Sequence, residues 1–227
     1  MQLGPRLRRL TLSLAMAVPF NAQAWDFSVI MGRSQSLYDP SSSAVKRLTK
    51  WNELIQDETH SDTDEKLEAV NRFFNRHLRF ETDQQIWGEL DYWATPVESL
   101  VTGAADCEDF TIAKYHTLRH LGVPDEQMRL TYVKANELNQ PHMVLSYYAT
   151  PGSEPLVLDN LTDWIRPASQ RQDLLPVYSF NAAGLWPAGS TRNTMSGPAR
   201  QLPRWRDLLE KMRDEGFTEP RSLQDEE

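Results

Sequence analysis

The amino-acid sequence predicts an α+β fold, because two periodicities divide the chain. Before residue 80, apolar side chains recur at the spacing of amphipathic helices. Between residues 128 and 159, short segments alternate apolar and polar side chains and are rich in strand-forming residues. Helices followed by hairpin-connected strands are typical of a layer of helices packed on an antiparallel sheet.

Two N-terminal helices are predicted from apolar stripes, whose members are Val45, Leu48, Trp51 and Ile55 in the first and Leu67, Val70, Phe74 and Leu78 in the second. Asp62 or Thr63 can cap the second. A third helix is predicted over roughly residues 107–121, closed by Gly122, and a short amphipathic helix over residues 203–215. Residues 26–43 are mixed, residues 80–105 are predicted to be irregular, and residues 181–203 are predicted to be loop.

Strands are predicted at residues 128–133, 142–148 and 156–159, with a fourth at 177–180. A hairpin centred on Thr150-Pro151 would pair Val144 with Val157 and His142 with Asp159. Opposed residues of an antiparallel pair share a face, with Cβ atoms about 4.5–5.5 Å apart. A slip of one residue would separate His142 from Asp159.

Residues 1–24 have the pattern of an export signal. Three arginines precede an apolar run of eleven residues, from Leu10 to Phe20, and Ala22-Gln23-Ala24 forms a small-x-small cleavage site. The run is shorter than the about 20 residues of a membrane span. We expect a mature domain over residues 25–215 that is periplasmic and not inserted in the membrane, and a disordered polar tail over residues 216–227. The alternative for the first segment is an uncleaved anchor or a buried helix.

The charge of the chain argues against a nucleic-acid partner. The 227 residues include 24 basic and 32 acidic side chains. Removing the three arginines of the first segment leaves 21 basic against 32 acidic residues, a net charge of −11 that repels phosphate backbones. The single cysteine excludes an intrachain disulfide and a zinc site built from several cysteines.

Cys107 lies at the expected start of the third helix, where unpaired N–H groups and the helix dipole stabilise a thiolate. The alternative is a small buried apolar residue. A cysteine nucleophile needs a base, and His142 opens a strand with Asp159 predicted opposite it. Alternatively, His142 is a solvated strand end and Asp159 a turn former. The other histidines lie farther along the cysteine's own helix, on a separate helix or in a polar linker: His116, His120, His77 and His60.

Several spaced blocks resemble one known family: residues 93–100 (WATPVESL), 106–115 (DCEDFTIAKY), 121–124 (LGVP), 142–145 (HMVL) and 157–160 (VLDN). They are similar to the bacterial transglutaminase-like cysteine proteinases, above all the LapG-type periplasmic proteases, over roughly residues 25–185. The resemblance implies a papain/transglutaminase-like fold, with the nucleophile helix packed on an antiparallel sheet. It also implies a Cys-His-Asp triad at Cys107, His142 and Asp159, the residues that the hairpin selects.

Three acids flank the cysteine: Asp106, Glu108 and Asp109. Their charges would raise the pKa of the thiol. Either they cap the helix, or a cation lies among them, and carboxylate oxygens suit calcium. The resemblance implies calcium as the cofactor, bound by these acids.

Two further features near the cysteine concern the backbone at Ala105 and the donors of the oxyanion hole. Ala105 stands where the family usually has glycine, and alanine would be strained there if the position needs a positive φ. For the oxyanion hole, the Cys107 backbone N–H is the first candidate donor. The indole N–H of Trp87 is the second, with a core position as the alternative.

The sequence therefore predicts a calcium-dependent periplasmic cysteine endopeptidase. The resemblance implies that its substrate is the N-terminal region of a large surface adhesin, cut at a di-alanine site to control biofilm attachment. It also implies that an inner-membrane cyclic-di-GMP receptor sequesters the protease. The alternatives are a transglutaminase-type acyl transferase with the same triad and a non-catalytic calcium-binding scaffold. The intact triad residue types count against the scaffold.

Overall fold

The computed structural model describes residues 25–137, 139–187 and 195–218. The helices in these ranges are α1 (Phe27–Tyr38), α2 (Ser42–Glu58), α3 (Thr63–His77), α4 (Asp83–Ile86), α5 (Pro96–Thr102), α6 (Cys107–His120) and α7 (Pro203–Asp214). The strands are β1 (Arg79–Phe80), β2 (Ala104–Ala105), β3 (Met128–Ala135), β4 (Gln140–Tyr147), β5 (Leu156–Leu158), β6 (Arg166–Pro167), β7 (Leu174–Phe180) and β8 (Leu185–Pro187). The predicted α+β class is confirmed.

Six strands form one antiparallel sheet in the order β6-β5-β4-β3-β7-β8. Helix α6 packs against β4 and β3 of this sheet and against α3 and α5. Its side chains from Asp109 to Leu118 are all buried, so α6 is the central helix of the core. The predicted nucleophile helix is therefore held between the sheet and the other helices. No helix of the described residues is long and apolar enough to cross a membrane.

The two N-terminal stripes pack as predicted except at Val45, which is half-buried while the neighbouring Ala44 is buried, and the C-terminal helix closes the same core. Trp51 is fully buried, and its indole N–H donates to Thr117 Oγ1 of α6 at 3.0 Å. Trp205 of α7 is 1% exposed. Phe217 is also buried and packs edge-on against Trp25. The packed chain thus extends two residues beyond the predicted boundary at residue 215. Residues 1–24 and 219–227, with the predicted export signal and most of the predicted tail, lie outside the described residues.

Three helices occur where the sequence predicted none: α1, the four-residue α4 and α5. Helix α1 buries only Ile30 and Ser34, so it has no apolar stripe to reveal it. Helix α5 lies inside the stretch predicted to be irregular. Its start nevertheless has a recognisable signal, because Thr95 caps it, Pro96 follows, and Glu98 completes a capping box.

The register of the β4–β5 hairpin differs from the prediction by two residues. Leu145 is opposite Leu158, so the predicted pairing of Val144 with Val157 is wrong. The turn is centred on Pro151-Gly152, where Gly152 adopts a φ of +83° that suits glycine. A shift of two residues leaves every side chain on its predicted face. Val144 and Val157 accordingly share one apolar cluster, and His142 and Asp159 remain on a common face.

Candidate active site

The acids that follow Ala105 organise the start of α6. Asp106 is the N-cap, and its Oδ1 accepts hydrogen bonds from the backbone N–H groups of Glu108 at 3.1 Å and Asp109 at 3.3 Å. Asp109 Oδ2 accepts the N–H of Asp106 at 3.4 Å, which completes a capping box. The capping interpretation is thus confirmed for Asp106 and Asp109. It gives no role to the carboxylate of Glu108.

Cys107 is the first residue of α6, and its Sγ donates to Glu108 Oε2 at 2.7 Å. Burial and the charges of Glu108 and Asp106 raise the pKa of the thiol well above its ordinary value, while the backbone N–H of Met143 lowers it. One turn further along α6, Thr111 Oγ1 donates to the carbonyl of Met143 at 3.1 Å. The thiol therefore lies beside the peptide that follows His142 on β4.

His142 and Asp159 form a buried pair, as the sequence predicted. His142 Nε2 lies 2.8 Å from Asp159 Oδ1, and the two residues are 3% and 1% exposed. An ionised carboxylate only accepts hydrogen bonds, so Nε2 carries the proton and Nδ1 is the basic nitrogen. Among the described residues, no hydrogen bond joins Cys107 to His142, because the thiol is bonded to Glu108.

Asp159 has a second side-chain partner, the cation Arg171, which the sequence did not reveal. Arg171 Nη2 donates to Asp159 Oδ2 at 2.8 Å. Burial would raise the pKa of the Asp159 carboxyl, but the hydrogen bonds from His142 and Arg171 outweigh it and hold that pKa well below its usual range. Asp159 is thus an ionised acceptor at any pH near neutral.

Three of the remaining four histidines make structural contacts. His77 Nδ1 contacts the Phe73 carbonyl at 2.8 Å. His116 stacks on Trp205, and burial lowers its pKa well below the ordinary value. His120 stacks on Trp25, and burial lowers its pKa to about 4. His60 follows α2 in the predicted polar break, which leaves His142 as the histidine beside the cysteine.

A cluster of carboxylates lies beside the cysteine. Oxygen atoms of Asp83, Asp106 and Asp109 all fall within 4.8 Å of one another. Ligand atoms of Asp106, Cys107 and Glu108 form an overlapping group of the same size. Asp83 stands 23 positions before Asp106 in the sequence, and only the fold brings it here. Of the predicted acids, Asp106 and Asp109 share one group with Asp83, and Glu108 shares the other group with Asp106 and Cys107.

The electrostatics of this cluster suit a bound cation. Burial, followed by the charges of Glu108, Asp109 and Asp83, raises the pKa of Asp106 to about 10. Burial also raises the pKa of Asp83 and that of Asp109. Asp83 Oδ2 accepts the backbone N–H of Tyr92 at 2.6 Å, whereas Asp83 Oδ1 is buried without a partner in the described structure. Converging carboxylate oxygens with an orphaned buried oxygen are the donor set that a hard cation such as Ca²⁺ prefers.

Ala105 and Trp87, two residues near the cysteine, have defined surroundings in the structure. Ala105 is a buried β2 residue paired with Phe80, and it is not among the described residues with positive φ. The concern that alanine is strained there is therefore removed. Gly103 supplies the left-handed conformation instead, with a φ of +72° at the end of α5. Trp87 packs on Tyr92, and its indole nitrogen is buried without a partner in the described structure.

The start of α6 against the strand that carries His142 is the arrangement of a transglutaminase-like fold. A family model described as bacterial transglutaminase-like cysteine proteinase matches residues 46–180. The chain belongs to this family.

Solved structures agree with this assignment. Legionella pneumophila LapG treated with EGTA is 45% identical, with a TM-score of 0.74, over 83% of this chain and 98% of that one. Calcium-bound Legionella pneumophila LapG is also 45% identical, with a TM-score of 0.70, over 82% of this chain and 98% of that one. Among curated proteins, no match to the chain was found.

Proposed function

We propose that this protein is a calcium-dependent cysteine endopeptidase that uses Cys107, His142 and Asp159 as its triad. The observation that carries the proposal is the buried His142–Asp159 pair on the strand beside the helix that starts with Cys107. Membership in a cysteine proteinase family favours peptide hydrolysis over the alternatives of acyl transfer and a non-catalytic scaffold.

In this proposal the Cys107 thiolate attacks the scissile carbonyl, and His142 Nδ1 holds the thiol proton and later gives it to the leaving amine. Asp159 fixes the tautomer and orientation of the imidazole by accepting from Nε2. The backbone N–H of Cys107 is the first oxyanion donor, since residues at a helix start have free N–H groups. The orphaned indole N–H of Trp87 supports it as the second donor.

Calcium is the proposed cofactor, held by Asp83, Asp106, Glu108 and Asp109. The ion would supply positive charge beside a thiol that has to ionise. Glu108 links the proposed calcium site to the nucleophile, because its carboxylate accepts a hydrogen bond from the Cys107 thiol. The existence of both calcium-bound and EGTA-treated structures of Legionella LapG supports calcium as the ion for this chain.

The proposed substrate is the N-terminal region of a large surface adhesin, and the proposed inhibitor is an inner-membrane cyclic-di-GMP receptor. Both inferences come from the similarity to LapG-type proteases. The proposed location is the periplasm, on the pattern of residues 1–24. N-terminal sequencing of the secreted protein tests the location, because cleavage after Ala24 leaves Trp25 as the first residue.

The function is tested by incubating the purified protein with the N-terminal fragment of a large repeat adhesin from the same cell, in calcium or in EGTA. We expect one or two discrete cuts in calcium, none in EGTA and none with Cys107→Ala. Mass spectrometry locates the cut. Incorporation of an added amine without hydrolysis would replace the endopeptidase with an acyl transferase. Failure to label Cys107 with a thiol-reactive probe, together with no cleavage, would favour the scaffold.

A further inference from the structure

We propose that Arg171 is a positioning residue of this active site, which holds the Asp159 carboxylate in the orientation that His142 requires. The inference rests on the proposed function, since it gives Arg171 a role in the same reaction. The nearest predicted site residue, Asp159, is twelve positions away in the sequence, and Arg171 follows a single turn of 3-10 helix at Ala168–Gln170.

The two oxygens of Asp159 contact two different side chains. His142 Nε2 lies 2.8 Å from Oδ1, and Arg171 Nη2 lies 2.8 Å from Oδ2. Arg171 is 8% exposed, so little water competes for these contacts. A carboxylate fixed at both oxygens is unable to rotate away from the imidazole. The orientation of His142 therefore depends on the guanidinium as well as on Asp159.

Arg171 is itself held in place by Asp173. Arg171 Nε donates to Asp173 Oδ1 at 3.0 Å, and Nη2 donates to Asp173 Oδ2 at 2.8 Å. This two-point contact uses the planar fork of the guanidinium, which lysine lacks. The chain thus contains a line of polar contacts from the half-buried Asp173 through the buried Arg171 and Asp159 to His142.

The main chain of Asp159 has its own anchor, so Arg171 is not needed to place it. Asn75 Nδ2 of α3 donates to the Asp159 carbonyl at 2.9 Å. The N–H of Leu161 donates to Asp159 Oδ1 at 3.1 Å, which holds the loop that follows β5. Arg171 instead contacts Oδ2, the side-chain oxygen of Asp159 that these contacts leave free. This separation allows a positioning role to be distinguished from a structural one.

A double-mutant cycle tests the coupling, with the adhesin fragment as substrate in saturating calcium. We expect Arg171→Ala to lower kcat on the order of 10²-fold, because small misplacements of catalytic groups have losses of this size. In an Asp159→Ala background, where residual turnover is measured with concentrated enzyme, the same substitution should change kcat by less than about twofold. KM should stay within about twofold throughout, since no substrate contact is removed. An equal loss in both backgrounds would overturn the proposal.

Chemical rescue separates the missing charge from a damaged fold. Arg171 lines a surface cavity of ≈ 340 Å³ together with Thr162 and Gln170, through which guanidinium ion can enter. Added guanidinium should restore kcat to Arg171→Ala and leave His142→Ala inactive. Arg166→Ala is the matched control, because Arg166 is an exposed arginine on β6 that lines the same cavity. Loss of kcat in Arg166→Ala equal to that in Arg171→Ala would also overturn the proposal.

A readout without catalysis keeps this inference distinct from the proposed function. NMR of protein labelled with 15N-histidine observes the Nε2 proton of His142, assigned by its loss in His142→Ala. Arg171→Ala should shift this resonance or speed its exchange with water, and Arg166→Ala should not. An unchanged resonance overturns the positioning role, whether or not the adhesin fragment is cut. If Arg171→Ala does not fold, Asp173→Asn takes its place, with a smaller effect on the resonance expected in the same direction.

Discussion

At the scale of single residues, the carboxylate beside His142 and the carboxylates beside Cys107 have opposite electrostatic surroundings. Asp159 accepts from His142 and Arg171, which hold its pKa below the usual range in spite of burial. Asp106 shares its site with other acids, and burial raises its pKa to about 10. The same type of side chain is therefore kept ionised beside the histidine and left in need of a counter-ion beside the cysteine.

Cys107→Ala should abolish peptide hydrolysis and leave the fold intact. The substitution removes only a sulfur atom at the first position of α6, while the Asp106 cap remains. Cleavage of the adhesin fragment and the melting temperature measure the two effects. Residual activity above a few per cent of the wild type would remove Cys107 as the nucleophile.

His142 and Asp159 should act as a unit. Asp159→Asn should leave Cys107 reactive towards a thiol probe but lower kcat on the order of 10³-fold or more, through loss of imidazole orientation. His142→Ala should cost nearly as much as the double substitution, because effects within a triad are not additive. Steady-state kinetics of the three variants check this, and additive losses would show that the two residues act separately.

The part of the site that was predictable from sequence consists of residues with local signals. Cys107 follows a cap and begins a helix, and His142 and Asp159 are related by one hairpin. Asp83 and Arg171 had no such signal, because their proximity depends on how the segment before α5 and the loop before β7 pack. The sequence pattern assigned the correct face to His142 even though the register was wrong by two residues.

At the scale of elements, the first turn of α6 combines capping with a candidate metal site. Asp106 and Asp109 form the capping box, so the same side chains that start the helix converge on Asp83 from α4. Helices α2 and α3 and the first strands were predictable, because their apolar periodicity is strong. Helix α6 is buried on all sides, so it was predictable from its end signals, such as Gly122, and not from a stripe. Helices α1 and α5 were not predictable, since α1 is largely exposed and the capping signal of α5 lies in an irregular context.

Asp83→Asn should weaken calcium binding without removing the α6 cap. The change keeps an oxygen for the Tyr92 N–H but removes one negative charge from the cluster. We expect an apparent calcium affinity lower by about tenfold, which corresponds to about 1.4 kcal/mol. The rise in melting temperature across a calcium titration measures it, because an ion that binds only the folded protein stabilises it.

Glu68→Gln is the matched control for this experiment, because Glu68 is an exposed acid on α3 paired only at the surface with Arg72. It should show the calcium response of the wild type. A wild-type response in Asp83→Asn would exclude Asp83 from the ion's ligands. No calcium response in the wild type would return Asp106 and Asp109 to a purely capping role.

At the scale of the whole molecule, the buried carboxylate of Glu215 connects the two ends of the domain. Glu215 follows α7, and its Oε1 accepts the Tyr38 hydroxyl at 2.7 Å and the Thr95 hydroxyl at 2.6 Å. Tyr38 is the last residue of α1, and Thr95 caps α5. Lys211 binds the nearby carboxylate of Glu98 at 2.8 Å. The C-terminal helix is thus fastened to both helices by a polar cluster that no local pattern in the sequence reveals.

This connection should make stability depend on pH. The pKa of Glu215 is raised from 4.5 to about 7, chiefly by burial and also by the charge of Glu98, although the hydrogen bonds from Thr95 and Tyr38 and the charge of Lys211 act in the opposite direction. Because the folded protein binds this proton more tightly than the unfolded chain, the contribution is complete below pH 4.5 and is lost as the pH rises through about 7. The loss is at most about 3 kcal/mol.

Glu215→Gln keeps an oxygen acceptor without the charge, so its melting temperature should fall less than that of the wild type between about pH 5 and about pH 8. Both proteins are measured in saturating calcium, which keeps the acids beside Cys107 in one state. Parallel curves for the two proteins would show that Glu215 does not titrate in this range.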